Sequence, residues 1–438
     1  MKHLLALAAS ALALAAAPAA AQNVVIVNAT LATGDGSEPI EDGVVVVQNG
    51  NVTYAGAPDG RSFESGEVID VNDAWVTPGL FASVTTLGLS DVGAVSESND
   101  TSAGGAPFSA ALDVAPIVNP SSQHILVSRA GGITRAATTT LPSGSIFGGH
   151  GAIIDLDGDA NPIMKSRAFQ MVALGERGGR IAGGSRASAF VLFRNALYEA
   201  QGLRGSTTGT PQMTEIEKDG ELFLGRFDAA ALIPVLSGSE KLYVAVDRAS
   251  DIRAALALKG EFPRLDMVLV GAGEGWLVAD EIAAAGVPVI ADALDDLPES
   301  FEVLAATQSN VGRMMRAGVQ VAISASSGTN PRNMPQAAGN LVALGKIPGA
   351  AGLSWGQAFA AISSVPATIN GFGGKAGVLA PGAMGDVVIW DGDPLEVGSV
   401  PTKVYIGGVE QSLENHQSRL RDRYRDLDES DLPKAYDW

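Results

Sequence analysis

The segment from Val76 to Gly88 reads VTPGLFASVTTLG and decides how the rest of the chain is interpreted. It follows a β-rich stretch, and its apolar run ends among threonines. Alternate residues of a strand face the same side of a sheet, so Val84 and Thr86 are expected to point the same way. If the segment is the first strand of a barrel, both side chains point into the barrel mouth.

This segment resembles the first barrel strand of the amidohydrolase superfamily, which normally reads Pro-Gly-Leu-Ile-Asp-x-His-x-His. Pro78, Gly79 and Leu80 match the pattern, whereas Val84 and Thr86 stand where the two histidines would be. In that family the histidines bind the catalytic metal ion, and imidazole is a preferred zinc ligand. The resemblance therefore implies the family's fold with its first pair of metal ligands replaced.

Both ends of the chain support the same resemblance. Residues 22–76 contain short β-rich runs with a hairpin signal at Asn49-Gly50. Residues 377–409 include GVLAPGAMGDVVIWDGDPLE, which is similar to the family's closing pattern, Pro-Gly-x-x-Ala-Asp-Leu-Val-x-x-Asp-Gly-Asp-Pro-Leu. The resemblance implies that the two ends form one small β-sandwich domain beside a central barrel.

Residues 77–376 alternate apolar, strand-like runs with alanine-rich helical runs, which favours βα units and a parallel sheet. We therefore expect an α/β protein: a (β/α)8 TIM-like barrel plus the small β-sandwich built from the N- and C-terminal segments. The expected strands include Leu242–Asp247, Met267–Val270, Val287–Ala291 and Val319–Ser324. The expected helices include Ala187–Ala200, Ser250–Lys259, Leu277–Ala285 and Phe301–Ala317.

Residues 1–21 have the pattern of a secretory signal peptide. A basic start at Lys2 and His3 precedes a leucine- and alanine-rich run that ends on small residues. We expect export to the periplasm and a mature chain that begins at Gln22. No later segment has the ~20 uninterrupted apolar residues of a membrane span. The chain has no cysteine, which excludes disulfides and a cysteine nucleophile.

The net charge limits the classes of partner. The chain has 48 acidic and 29 basic side chains, a formal net charge of −19, which repels nucleic acid and anionic membranes. The partners that remain are a second copy, an active amidohydrolase-like protein and a small-molecule ligand. Residues 410–438 carry mixed charges at helical spacing, which predicts a solvated helix or arm, with docking onto a partner chain as the alternative.

The other strands that carry ligands in the family show further replacements, as the resemblance aligns them. Ala245 stands in place of the strand-five histidine, and Gly271 in place of the strand-six histidine. Ser326 falls nearest to the strand-eight catalytic aspartate, and serine is no general base unaided. The resemblance therefore implies a barrel mouth without metal ligands, and we expect no cofactor.

An unconventional site remains as the alternative. Beyond the signal peptide the histidines are His124, His150 and His416, and none forms a His-x-His pair. His150 lies in the glycine-rich run SIFGGHGA, where it could contact a substrate or make a hydrogen bond within a loop. Asp247 and Glu274 follow predicted strands, so with His150 they could bind one divalent metal such as zinc.

Three function hypotheses follow. The first is a catalytically silent relative of exported, imidazolonepropionase-like hydrolases of non-peptide or dipeptide C–N bonds, acting as a binding or assembly partner. The second is an active hydrolase of an amide or cyclic amide that uses Asp247, Glu274 and His150. The third is a plain ligand-binding barrel. Fold alone does not choose among them, because function depends on the residues of the site.

Overall fold

The computed structural model describes residues 21–63, 66–203, 223–324 and 328–425. Within these ranges the strands form two eight-stranded sheets. The first sheet contains β1 (Val24–Leu31), β2 (Ile40–Gln48), β3 (Asn51–Gly56), β4 (Glu67–Asp70), β5 (Trp75–Pro78), β14 (Val387–Trp390), β15 (Pro401–Ile406) and β16 (Val409–Glu410). The second contains β6 (Leu80–Thr85), β7 (Ile133–Thr138), β8 (Phe147–Asp155), β9 (Ile163–Ala173), β10 (Lys241–Val246), β11 (Met267–Gly271), β12 (Val289–Ala291) and β13 (Val321–Ile323).

Most of the described helices lie between strands of the second sheet, and the last four follow its final strand. The helices are α1 (Gln123–Ala130), α2 (Glu176–Ile181), α3 (Arg186–Leu203), α4 (Arg226–Ala231), α5 (Ile233–Ser237), α6 (Ala249–Glu261), α7 (Ala279–Ala284), α8 (Asn310–Arg316), α9 (Met334–Leu344), α10 (Trp355–Ala360), α11 (Ser364–Ile369) and α12 (His416–Arg423). Short 3-10 helices occupy Ser96–Ser98, Ala115–Ile117, Gly275–Val278 and Pro331–Asn333. None of the described helices is long and apolar enough to cross a membrane.

The first sheet is built from both ends of the chain, as the resemblance implied. Its order is β16-β15-β14-β5-β1-β2-β3, and β4 also pairs with β1. The C-terminal β14 runs antiparallel to the N-terminal β5. The β2–β3 hairpin turns at Asn49-Gly50, where φ is 50° and 77°, the left-handed region that this dipeptide tolerates.

The second sheet forms the barrel wall in the order β6 to β13 along the chain. The expectation of a wholly parallel sheet is wrong at one strand, because β8 runs antiparallel to both β7 and β9. The glycine-rich run that contains His150 is therefore a strand and not a loop. Position 151 on this strand requires glycine, because a Cβ there would collide with the ring of Phe169 on β9.

The wall is nearly closed between its first and last strands. The amide of Phe81 on β6 donates to the carbonyl of Ile362 at 3.1 Å, and the amide of Ile323 on β13 donates to Ala361 at 2.9 Å. The two residues after α10 thus bridge the seam. Inside the barrel, Phe169 and Tyr243 stack with their ring centroids 4.1 Å apart.

A buried ion pair joins the two sheets. Arg135 on β7 donates from Nε and one terminal nitrogen to the two carboxylate oxygens of Asp386, at 2.7 and 2.8 Å. The amide of Gly407 also donates to Asp386, at 2.9 Å. Burial alone would raise the pKa of Asp386, but the charge and hydrogen bonds of Arg135 hold it below its usual range. The barrel and the composite sheet are therefore fixed to each other by paired charges.

Replacing Arg135 with methionine is expected to lower the free energy of unfolding by about 3–5 kcal/mol, because the Asp386 carboxylate stays buried without its partner. The matched control is Arg253→Met, since the Arg253–Glu281 pair is about half exposed, and this change should cost much less. Urea denaturation of both variants measures the difference. Equal losses in the two variants would contradict the role given to Arg135.

Candidate functional site at the barrel mouth

Apolar side chains line the upper interior of the barrel. Val84 on β6, Ala245 on β10 and Val270 on β11 are partly buried and pack against the apolar cluster inside the wall. Ala245 and Val270 are paired in register, so they lie at the same height. Two of the positions at which the resemblance expects histidine, Val84 and Ala245, therefore present only hydrocarbon to the interior.

Thr86 and Gly271, two further expected ligand positions, are held by backbone contacts. The amide of Thr86 donates to the carbonyl of Gly328 at 2.9 Å, and Thr86 is buried. Gly271 ends β11 with φ of 92°, and a Cβ there would collide with Oδ1 of Asp247. A side chain at position 271 would strain the backbone and displace the Asp247 carboxylate. Ser326 lies outside the described residues.

Asp247 follows β10 and is the carboxylate that the barrel wall brings to the mouth. Its Oδ1 accepts a hydrogen bond from the amide of Gly273 at 3.1 Å. Burial, together with the negative charges of Glu302, Asp295 and Glu274, raises the pKa of Asp247 to about 7 against the lowering effect of that hydrogen bond. Asp247 is therefore protonated in a substantial fraction of molecules near neutral pH.

Glu274 is buried, and its carboxylate accepts hydrogen bonds from two backbone amides. Its Oε2 accepts from the amide of Ala249, the first residue of α6, at 3.0 Å. Its Oε1 accepts from the amide of Ala305 at 3.1 Å. Both carboxylate oxygens therefore accept a hydrogen bond, one from a helix N-terminus that favours negative charge and one from a loop.

His150 lies apart from these acids. Gly151 faces Phe169 in the interior, so the neighbouring His150 points away from it. Its Nδ1 lies 2.6 Å from Oε1 of Glu240, and both side chains are 2% exposed. Burial raises the pKa of Glu240, while the hydrogen bond to His150 opposes that rise. Glu240 precedes β10 and Asp247 follows it, which puts the two about 20 Å apart along an extended strand.

A long connection between β12 and α8, residues 292–309, crosses the mouth, and we call it the strap. Oε2 of Glu302 accepts from the amide of Glu176 at the start of α2, at 2.6 Å. The guanidinium of Arg248 donates to the carbonyl of Phe301. The strap thus reaches from β12 across the ends of β10 and β9.

A second set of contacts fixes the strap over β11. The indole Nε1 of Trp276 donates to the carbonyl of Ala305 at 2.9 Å, in addition to the contact of Ala305 with Glu274. The expectation of a helix over Phe301–Ala317 is therefore wrong for its first half, since α8 begins only at Asn310. Helical hydrogen bonding would need the amide of Ala305 and the carbonyl of Phe301, and tertiary partners use both.

The residues at the mouth do not fit a divalent metal ion. No group of three or more His, Cys, Asp or Glu side chains in the described ranges is arranged to hold one. Val84, Ala245 and Val270 offer no lone pair, and Glu274 already uses both oxygens. His150, the imidazole of the alternative set, lies about 20 Å from Asp247 through its partner Glu240.

Comparisons with known proteins agree with this architecture. The Amidohydrolase family profile matches residues 238–410. Imidazolonepropionase of Caulobacter vibrioides is 48% identical over 61 residues, which is 14% of this chain and 15% of that protein. Amidohydrolase tasK of Hapsidospora irregularis is 40% identical over 60 residues, which is 14% of this chain and 6% of that protein. The matched segments thus span a small part of both relatives.

The solved amidohydrolase from Thermotoga maritima MSB8 shares the fold, with a TM-score of 0.76 and 21% identity over 88% of this chain and 99% of that chain. A nearly closed barrel beside a sheet built from both chain ends defines the class as an amidohydrolase-type TIM barrel. The family profile, the sequence relatives and this fold together identify the family. The chain belongs to the amidohydrolase superfamily.

Replacing Asp247 with asparagine should flatten the dependence of stability on pH. The folded pKa of about 7 exceeds the unfolded value of about 3.9, so the folded state binds the proton more tightly and loses stability as pH rises from about 4 to 7. Asparagine carries no such charge and still accepts from Gly273. We expect the melting temperature of the variant minus that of wild type to be larger at pH 8 than at pH 5.

Differential scanning fluorimetry at the two pH values measures this gain. The matched control is Asp59→Asn in an exposed turn, where φ is 48° and asparagine is equally tolerated. This control should keep the pH dependence of wild type. An Asp247→Asn variant whose melting temperature follows wild type at both pH values would show that Asp247 is not the titrating group.

Proposed function

We propose that this amidohydrolase-superfamily protein is catalytically silent, contains no resident metal and acts as a binding or assembly partner. The observation that carries the proposal is the apolar layer of Val84, Ala245 and Val270 at the barrel mouth. A divalent ion among such side chains would lose its water ligands without gaining protein ligands. The barrel keeps its packing there without an ion.

The strap adds a second reason. Substrate reaches the catalytic end of a TIM barrel through the loops that follow the strands. Here the strap crosses that end and is tied to three neighbouring connections through Glu302, Phe301 and Ala305. These contacts restrict access to Asp247 from above β10 and β11. A surface formed by mouth loops suits binding to another molecule better than turnover of a buried substrate.

We also propose that the protein is exported to the periplasm. The support is the sequence pattern of residues 1–21, a basic start and an apolar run that ends on small residues. Residues 1–20 lie outside the described ranges. Export stays a prediction from this pattern.

Hydrolysis of an amide or cyclic amide remains the alternative function, and one observation favours it. A carboxylate with a pKa near 7 is suited to act as a general base, and Oδ2 of Asp247 makes no hydrogen bond to the described residues. Any such turnover should rise as pH increases through about 7, because the ionised form is the base. Turnover that survives Asp247→Ala would rule out this alternative.

Metal analysis of the purified protein, combined with a hydrolase screen on dipeptides and cyclic amides, tests the proposed function. We expect less than stoichiometric zinc, manganese and nickel and no turnover above the buffer blank. The reason is that the mouth offers hydrocarbon where the family places imidazole. Near-stoichiometric metal together with hydrolysis would contradict catalytic silence.

A further inference from the structure

The outer face of the strap exposes large apolar side chains. Leu297 is 72% exposed, Phe301 is 76% exposed and Leu304 is 59% exposed, all within eight consecutive residues. Leu277, in the 3-10 helix beneath the strap, is also exposed. Scattered surface leucines are normal, but several large apolar side chains on one short segment mark an interaction site.

The same segment carries only negative charge. Residues 292–309 contain five acidic side chains and no lysine or arginine, as the sequence shows, and the acids are Asp292, Asp295, Asp296, Glu299 and Glu302. Burial raises the pKa of Asp295, and the charges of Asp292 and Glu299 raise it further. A cation placed against this face would therefore relieve repulsion that the folded chain leaves in place.

The strap presents these groups on a fixed backbone. Glu302 bonds to the amide of Glu176 on one side of Phe301, while Ala305 bonds to Glu274 and Trp276 on the other. Phe301 itself is held through its carbonyl by Arg248. Leu304 and Phe301 therefore project from a segment already ordered by its own contacts, which lowers the entropy lost on binding.

We propose that the outer face of the strap docks a cationic polypeptide segment of another protein, with basic residues set among large apolar ones. The inference rests on the proposed function as a binding partner and adds the surface and the chemistry of what it binds. Two straps face to face would bring ten carboxylates together, and the net charge of −19 opposes approach of a second copy. The complementary surface is therefore a basic one.

The test titrates a short fluorescent peptide of alternating lysine and leucine into the full chain and follows its anisotropy. A peptide of alternating lysine and serine separates apolar docking from charge attraction alone. We expect the leucine peptide to bind at least about tenfold more tightly than the serine peptide, because the strap supplies both apolar anchors and charge. Equal affinities for the two peptides would overturn the proposal.

A matched pair of variants locates the binding surface. The strap variant is Leu297→Ser/Phe301→Ser/Leu304→Ser, and the control is Val397→Ser/Val400→Ser/Tyr424→Ser, three exposed apolar side chains away from the barrel mouth. We expect about tenfold weaker binding in the strap variant and less than about twofold in the control. Wild-type affinity in the strap variant, or equal losses in both variants, would overturn the docking surface.

A milder change keeps the test valid if the triple strap variant does not fold. Asp296→Asn/Glu299→Gln removes two exposed charges and no apolar contact, and it should weaken binding and reduce its salt dependence. Unchanged salt dependence would contradict the inference.

Failure of peptide binding in a protein without metal or turnover refutes the docking surface alone. Metal with turnover refutes the proposed function, whatever the peptide does.

Discussion

The buried ion pair between Arg135 and Asp386 is the contact on which the arrangement of the two sheets depends. Its members are 251 residues apart in the sequence, one in the barrel wall and one directly before β14. Arg135 also lies 3.4 Å from Asp155 in the wall, but the Asp386 carboxylate gains its cation only when barrel and composite sheet are folded against each other. Asp386 belongs to the closing pattern of the family, and this pattern therefore has a structural role that needs no metal.

The mouth, at the other end of the strands, is stabilised differently. Val84, Ala245 and Val270 continue the apolar packing of the interior, and the strap lies across the ends of β9 to β11 through hydrogen bonds that use Glu274 and Glu302. Acids that could have served chemistry are thus used to hold backbone amides. Since the family fold is maintained by the ion pair and the core, it does not require a working site, and fold and chemistry can separate.

Sequence reasoning located the fold because short motifs carry it: the Pro78-Gly79-Leu80 entry joins β5 to β6, and the closing pattern contains β14. The resemblance also singled out Val84 and Ala245, and both pack against the interior apolar cluster. It could not find what depends on distant partners. The β8 strand requires the contact of Gly151 with Phe169. The pairing of His150 with Glu240 spans 90 residues. The strap replaces a helix because the amide of Ala305 donates to Glu274. On β11 the interior residue is Val270, one position before the one the pattern singled out, and a one-residue shift reverses the face.

Calorimetric titration of chelator-treated protein with zinc shows whether the barrel mouth has a metal site. We expect no saturable one-to-one binding, and heats for wild type equal to those for Asp247→Asn, because apolar side chains occupy the layer where ligands would lie. One-to-one binding in wild type that is lost in Asp247→Asn would contradict this expectation, since Asp247 is the carboxylate that the wall brings to the mouth.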